Sequence, residues 1–398
     1  MDSLNLLLEN YHLIEDKRLN NRFFKHSDLL LIIDSISKKR GFHIREAGFS
    51  AENRSINLIT WGNGPCRIFL WSQMHGDEAT ATMAIADLLL FLSESEEFSD
   101  LRDPIEKNCT LYILPMVNPD GAEIFNRRNA LGIDINRDFL HQQSPEGRLL
   151  RSLRDEINPH FGFNLHDQNT AWSAGTTGNP ATISLLAPAY DQELSINTVR
   201  ANAMKVIALM NASLQESIPE HVGRFDDEHE ARAFGDNFQA AGTATILIEA
   251  GGYHNDREKQ FIRKMFFKAM LSGIISIAEQ SYIKAEISDY FAIPANKKLH
   301  FDILLRNCKL QRNGIIYIQD IGLTLDQKIN EDLRSVSASY IVSDLGDLSH
   351  CFGYEELNCE HLTLTETKKI ALDEPADLII HEGTSIRLTI ENGNISIE

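Results

Sequence analysis

The sequence predicts an α/β protein with a mixed, largely parallel sheet flanked by helices, followed by a small all-β domain. Three observations carry that expectation. Apolar strand-like runs alternate with helix-length amphipathic segments as far as about residue 282. Several of those runs stop at a polar or ionisable residue, as in the carboxyl-end clefts of open sheets. Beyond about Lys284 the helical segments give way to short β-like runs between turns. The expected domains are therefore 1–283 and 284–398.

The 398 residues suit two domains, and 43% hydrophobic content is ordinary for a folded chain. A net charge of −19 disfavours nucleic acid and anionic membrane surfaces as partners. No apolar stretch is long enough to span a bilayer, and the acidic start does not read as a signal peptide, so a cytoplasmic location is expected. The cysteines, Cys66, Cys109, Cys308, Cys351 and Cys359, are odd in number and irregularly spaced. They predict free thiols in a reducing compartment.

In chain order, residues 1–45 read as helical, with Leu29, Leu30, Ile32, Ile33 and Ile36 on a helical repeat. Two strands follow, Ser55–Trp61 and Cys66–Trp71, separated by the turn Gly62-Asn-Gly-Pro65. A turn carrying His75 and Glu78 then leads into a helix, Met83–Leu92. Thr110–Val117 is the next buried strand. Ala122–Phe139 is polar and basic, and a helix runs near Glu146–Ile157. Phe161–Leu165 is a short strand that ends at His166, and Asp167–Thr182 reads as a loop. Ile183–Ala187 is a strand, Ser195–Ser217 a long helix, and Pro219–Gly242 irregular. Thr245–Glu249 is a buried strand with an acid at its end, before Gly251, Gly252 and a helix over Glu258–Tyr282. The later runs, from Phe301–Leu305 to Ser385–Ile390, have the spacing of a small sandwich or barrel.

The chemistry-bearing residues fall where strands end. Imidazole and carboxylate three residues apart, as in His75 and Glu78, can converge on a divalent metal, though such a pair alone also arises by chance. His166 ends a second strand and Glu249 a third. Two imidazoles and one carboxylate leave an open position on zinc, as in a catalytic site. A further, non-ligating carboxylate can move the proton of the attacking water, and Glu249 is the candidate. Each has a plainer reading: His166 as a hydrogen-bonded structural histidine, Glu249 as a helix cap or ion-pair partner.

In these residues the chain resembles the zinc carboxypeptidase family of metallopeptidases. The matching pieces are His75-x-x-Glu78, Asn118-Pro-Asp-Gly121, Arg127 with Gly132-Ile-Asp134-Ile-Asn136-Arg137, Leu165-His166 and Ile248-Glu249. The turn Gly48–Arg54 also fits, and the likeness runs from about residue 25 to 280. The resemblance implies one Zn2+ per chain on His75, Glu78 and His166. It implies that Asp134 hydrogen-bonds the His75 imidazole and that Arg127 stabilises the oxyanion. Asn136 and Arg137 would hold the substrate's terminal carboxylate. Arg128 competes with Arg127, whose distance from Gly132 favours it. The family's mobile-loop tyrosine has no counterpart in Arg224–Asp236, where Phe234, Arg232 or His229 stands in that region.

The expected activity is a zinc-dependent hydrolase that cuts an amide next to a free carboxylate. The short wording His75-Gly-Asp-Glu78 also resembles deacylases of the aspartoacylase and succinylglutamate desuccinylase type and murein-peptide amidases. An N-acyl-amino-acid deacylase is therefore the second expectation, and a binding protein without catalysis the third. The implied partner is a peptide or N-acyl amino acid.

Overall fold

The computed structural model describes residues 2–93, 97–330 and 336–396. Its chain divides into two compact units. The first comprises residues 1–169 and 181–296, the second 170–180 and 297–398.

The first unit is built on an eight-stranded sheet. Its strands are β1 (Phe42–Phe49), β2 (Ser55–Gly62), β3 (Cys66–Ser72), β4 (Cys109–Leu114), β5 (Phe161–Asp167), β7 (Ile183–Leu186), β8 (Val222–Arg224) and β9 (Ala244–Ala250). The short β6 (Trp172–Ala174) lies outside it. The strand order is β1-β2-β4-β3-β5-β9-β7-β8. The central run β4-β3-β5-β9 is parallel. β1, β2 and β4 pair antiparallel at one side, as do β9 and β7 at the other. The sheet is thus mixed, with its parallel strands where both faces are covered.

Helices α1 (Asp2–Glu9), α2 (His26–Ser37), α3 (Thr80–Ser93), α4 (Ser99–Asn108), α5 (Pro119–Glu123) and α6 (Pro145–Ile157) fall in this unit. So do α7 (Thr198–Gln215), α8 (Phe234–Ala240), α9 (Gln260–Ala278) and α10 (Ile287–Phe291). α3 is buried on nearly every side, from Thr80 to Leu92, as its apolar sequence requires. α6 is instead amphipathic. Ser144 caps it by accepting a hydrogen bond from Gly147 N, Pro145 opens it, and Leu150, Leu153 and Ile157 face inward. One core holds α3 and α9 with the inner strands; a second, around Trp71, Phe234 and Phe238, fills the other face.

Two sequence expectations are corrected. The helical reading of residues 1–45 ends too late, because β1 begins at Phe42 and pairs with β2 over Phe42–Phe49. β1 is largely exposed, so its sequence carries no buried apolar run to mark a strand. The stretch 219–242 is not wholly irregular. It contains β8 and α8, whose Phe234 and Phe238, four residues apart, are both buried.

In the second unit the strands are β10 (Asn296–Lys298), β11 (His300–Arg312), β12 (Ile315–Ile329), β13 (Val336–Gly346), β14 (Phe352–Asn358), β15 (Thr363–Glu366), β16 (Leu378–Glu382), β17 (Ser385–Glu391) and β18 (Asn394–Ser396). β10 pairs with β6, and the other eight form two four-stranded sheets, β13-β12-β11-β14 and β15-β16-β17-β18. A common core containing Leu305, Leu323, Val342, Leu378 and Ile390 joins them. Among the described residues no helix is long and apolar enough to cross a membrane, and the five cysteines carry no disulfide.

Candidate metal centre

The turn after β3 is fixed before any of its side chains act. Val117 N donates to Ser72 O and Asn118 N to Gln73 O, both at 3.0 Å. Gln73 Nε2 donates to Gly76 O, and Asn118 Nδ2 to Met74 O. Gly76 is needed for space: a methyl group there would lie 2.0 Å from the carbonyl carbon of Gly121. The turn therefore packs backbone against backbone on the Asn118–Gly121 turn, and it presents His75 and Glu78 at the ends of β3 and β4.

Parallel registry supplies the next two residues. In the β5–β9 ladder His166 pairs with Glu249, so the two strands deliver imidazole and carboxylate at one level. The polar loop before α6 supplies Arg127, Asp134, Asn136 and Arg137.

His75, Glu78 and His166 come together as a buried cluster whose ligand atoms all lie within 4.8 Å of one another. Nδ1 of His75 is 2.7 Å from Glu78 Oε1, and Nδ1 of His166 is 2.6 Å from Glu78 Oε2. On its far side, His75 Nε2 is 3.1 Å from Asp134 Oδ1. Arg127 adds a guanidinium to the cluster. Its Nε donates to Asp134 Oδ2 at 3.0 Å, and its Nη1 lies 3.1 Å from His75 Nδ1 and 3.2 Å from Glu78 Oε1. Arg128 turns elsewhere, donating to Gly132 O.

The electrostatics follow from this crowding. Burial disfavours a charged His75, but Glu78 and Asp134 overcome it and raise the imidazole to about 9. For His166 burial wins, and its pKa falls. Glu78 is held well below the usual carboxylate range, since the two imidazoles outweigh its burial. Asp134 is likewise depressed by His75 and Arg127 against its burial. Glu249 goes the opposite way: burial first, then the Glu78 and Asp167 carboxylates, push it well above the usual range.

Two imidazole nitrogens and a carboxylate at this spacing form a donor set that zinc takes. One further observation fits a ligand near this point: Oε2 of Glu249 is buried without a hydrogen-bond partner among the described residues.

The substrate-binding candidates lie next to this cluster. Asn136 Oδ1 accepts from Phe234 N at 3.0 Å. Arg137 donates to Asn136 O, and its Nε is 3.2 Å from Glu230 Oε2. Of Phe234, Arg232 and His229, Arg232 lines the cavity beside Asp134 and Arg137. Phe234 is buried against Phe139 and Phe238, and His229 faces Asp236 at 3.4 Å.

Sequence reasoning missed two participants. Glu230, on the loop before α8, carries no motif that marks it. Lys259 is buried and donates to Asp167 Oδ2 and Ala250 O, both at 3.0 Å, while Thr80 Oγ1 donates to Asp167 at 2.6 Å. This cation steadies the strand ends that carry His166 and Glu249. A lysine at the start of a helix carries no sequence signal for such a role.

Comparison with known proteins gives this geometry a context. Residues 34–173 match the family model described as zinc carboxypeptidase. Carboxypeptidase 2 of Trichophyton rubrum is 23% identical over 200 residues, 50% of this chain and 31% of that protein. Carboxypeptidase SOL1 of Arabidopsis thaliana is 36% identical over 72 residues, 18% of this chain and 15% of that one. The chain thus matches about a third or less of the length of these curated relatives. Among solved structures, a metallo-carboxypeptidase from Burkholderia cenocepacia superposes with a TM-score of 0.54 at 15% identity. That match covers 65% of this chain and 70% of the other. A metallo-carboxypeptidase from Pseudomonas aeruginosa gives 0.51 at 17% identity with the same coverage. At these identities the structural likeness shows a shared fold.

Proposed function

We propose that this chain, which carries a zinc carboxypeptidase domain, is a zinc-dependent hydrolase that removes a C-terminal residue from a peptide. The observation that carries the reading is the buried His75–Glu78–His166 cluster with Glu249 paired in register to one of its members. His75, Glu78 and His166 would hold one zinc ion. Zinc held there would supply a Lewis acid able to lower the pKa of water toward neutrality.

The remaining chemistry falls to the chain's own residues. Glu249 accepts a proton from the attacking water and hands it to the leaving nitrogen. Arg127 stabilises the negative charge that develops on the carbonyl oxygen. Asp134 fixes the His75 ring and, through a second oxygen, the Arg127 guanidinium, so one carboxylate orients both. Arg137 receives the substrate's terminal carboxylate in its fork. Asn136, anchored through Oδ1, donates from its amide nitrogen to the same group.

The test uses the zinc-loaded full chain and a set of peptides with free or amidated C-termini, together with N-acyl amino acids. The free acid should be cleaved at least tenfold faster, in kcat/KM, than the amide. A charge-assisted pair is worth about 1.5–3 kcal/mol, enough for that factor. Equal cleavage of acid and amide would remove the exo-acting reading. Turnover confined to N-acyl amino acids would transfer the same residues to a deacylase, and no turnover of either would leave a binding protein.

A further inference from the structure

Beside Asp134 lies a cavity of about 500 Å³, lined by Arg128, Arg137, Arg232, Asp138 and Gln143 as well as Asp134. Its two acids are engaged elsewhere. Asp134 is bound to His75 and Arg127, and Asp138 accepts from Ser144 Oγ, Ser144 N and Gln143 N. Three guanidiniums thus face one cavity in a chain whose net charge is −19. A single terminal carboxylate uses one fork, or two.

Two of these guanidiniums already share a carboxylate. Glu230 Oε2 lies 3.2 Å from Arg137 Nε and 2.7 Å from Arg232 Nη2, and its Oε1 accepts from Arg232 Nε at 2.9 Å. Its carboxyl is held down at about 2, chiefly by the Arg232 hydrogen bond. Glu230 and Arg232 are both partly exposed, on the same loop, so the contact can exchange with an incoming anion at little cost. Arg232 thus grips this carboxylate through Nε and Nη2, and Arg137 touches it through Nε.

We propose that the C-terminal residue taken by this site is acidic, with Arg137 receiving its main-chain carboxylate and Arg232, flanked by Arg128, its side-chain carboxylate. Glu230 is the internal stand-in that the second carboxylate displaces. The proposal rests on the exo-acting reading above and adds to it the class of side chain removed. Recognition by planar forks favours a carboxylate over the isosteric amide, because the amide replaces one acceptor with a donor facing a guanidinium.

The experiment compares peptides that differ only in the last residue, Glu, Gln, Leu or Lys, on the zinc-loaded full chain. Glu should exceed Gln by tenfold or more in kcat/KM. Arg232→Gln should lower the Glu-to-Gln ratio toward one, mainly through KM, and Arg232→Lys should restore part of it. Calorimetric titration of free glutamate and free glutamine into the wild type and the Glu249→Gln variant gives a second readout that needs no turnover. Glutamate should bind at least tenfold tighter. Cleavage of Gln as fast as Glu, with free acids still preferred over amides, would overturn the acidic specificity and leave the carboxypeptidase reading intact. If no free-acid peptide is cleaved, that reading fails, and the titration alone then decides: equal binding of the two amino acids overturns the proposal.

Discussion

Asp134 Oδ1 lies 3.1 Å from Nε2 of His75, on the side of the ring opposite Glu78. With a metal at Nδ1, an Nε2 proton donated to Asp134 would hold His75 in the tautomer that a ligand requires. Asp134→Ala should therefore weaken zinc binding by about 10- to 100-fold, the range typical of lost outer partners. Zinc competition against a chelator of known affinity reads this directly. Unchanged affinity would mean that Glu78 alone orients the ring.

Glu249 tests the proton path separately from the metal. Glu249→Gln is expected to keep its zinc and lower kcat by roughly 100-fold or more, the scale of a general acid–base group. Metal content and single-turnover rates measured on one preparation distinguish the two effects. Loss of zinc along with activity would make Glu249 a ligand.

The close approach at Gly76 predicts a structural lesion with a functional readout. Gly76→Ala places a methyl group 2.0 Å from Gly121 C and 2.4 Å from Ala122 N, against backbone that cannot swing aside. Overpacking of this kind costs about 1–3 kcal/mol, and the strain falls on the turn that carries His75 and Glu78. Lower unfolding midpoint and lower zinc occupancy should appear together. A variant with normal values of both would show that the turn can open.

Asp236, at the start of α8, gives a pH dependence. Burial is the main cause that raises its pKa to about 6, while backbone hydrogen bonds and His229 oppose it. The folded state therefore holds this proton above the pH at which the unfolded chain, near 3.9, has lost it. Between about pH 4 and 6 the folded form binds more protons, so this group's contribution to stability falls as pH rises. Asp236→Asn should flatten that part of the stability curve. Denaturant midpoints at pH 4, 5, 6 and 7 for both proteins would reveal it, and parallel curves would count against it.

How much of this was legible in the sequence depends on the kind of signal. β3, β5 and β9 are buried apolar runs, so their ends, and with them His75, His166 and Glu249, could be placed by eye. The convergence of Asp134 and Arg127 on that point could not. Loop residues carry no periodicity, and their positions came only from resemblance. β1 escaped because its pairing with β2, rather than its own burial, makes it a strand. Glu230 escaped because it sits in a charged stretch where any acid looks like solvated surface. Its role is visible only from the two guanidiniums it touches.

The assignment of residues 170–180 to the second unit has a consequence for how this protein can be divided. Three residues after β5 ends at Asp167, the chain leaves the first unit, then returns to it at residue 181 before leaving again after 296. Within the second unit, Ala171 O accepts from Leu299 N and His300 N, and Thr170 O from Tyr354 Oη. A protein stopped at Asn296 would keep this segment while losing every one of those donors. That segment would then begin four residues after His166. The β-rich unit is therefore stitched into the chain rather than appended to it, and neither unit corresponds to a single uninterrupted length of coding sequence.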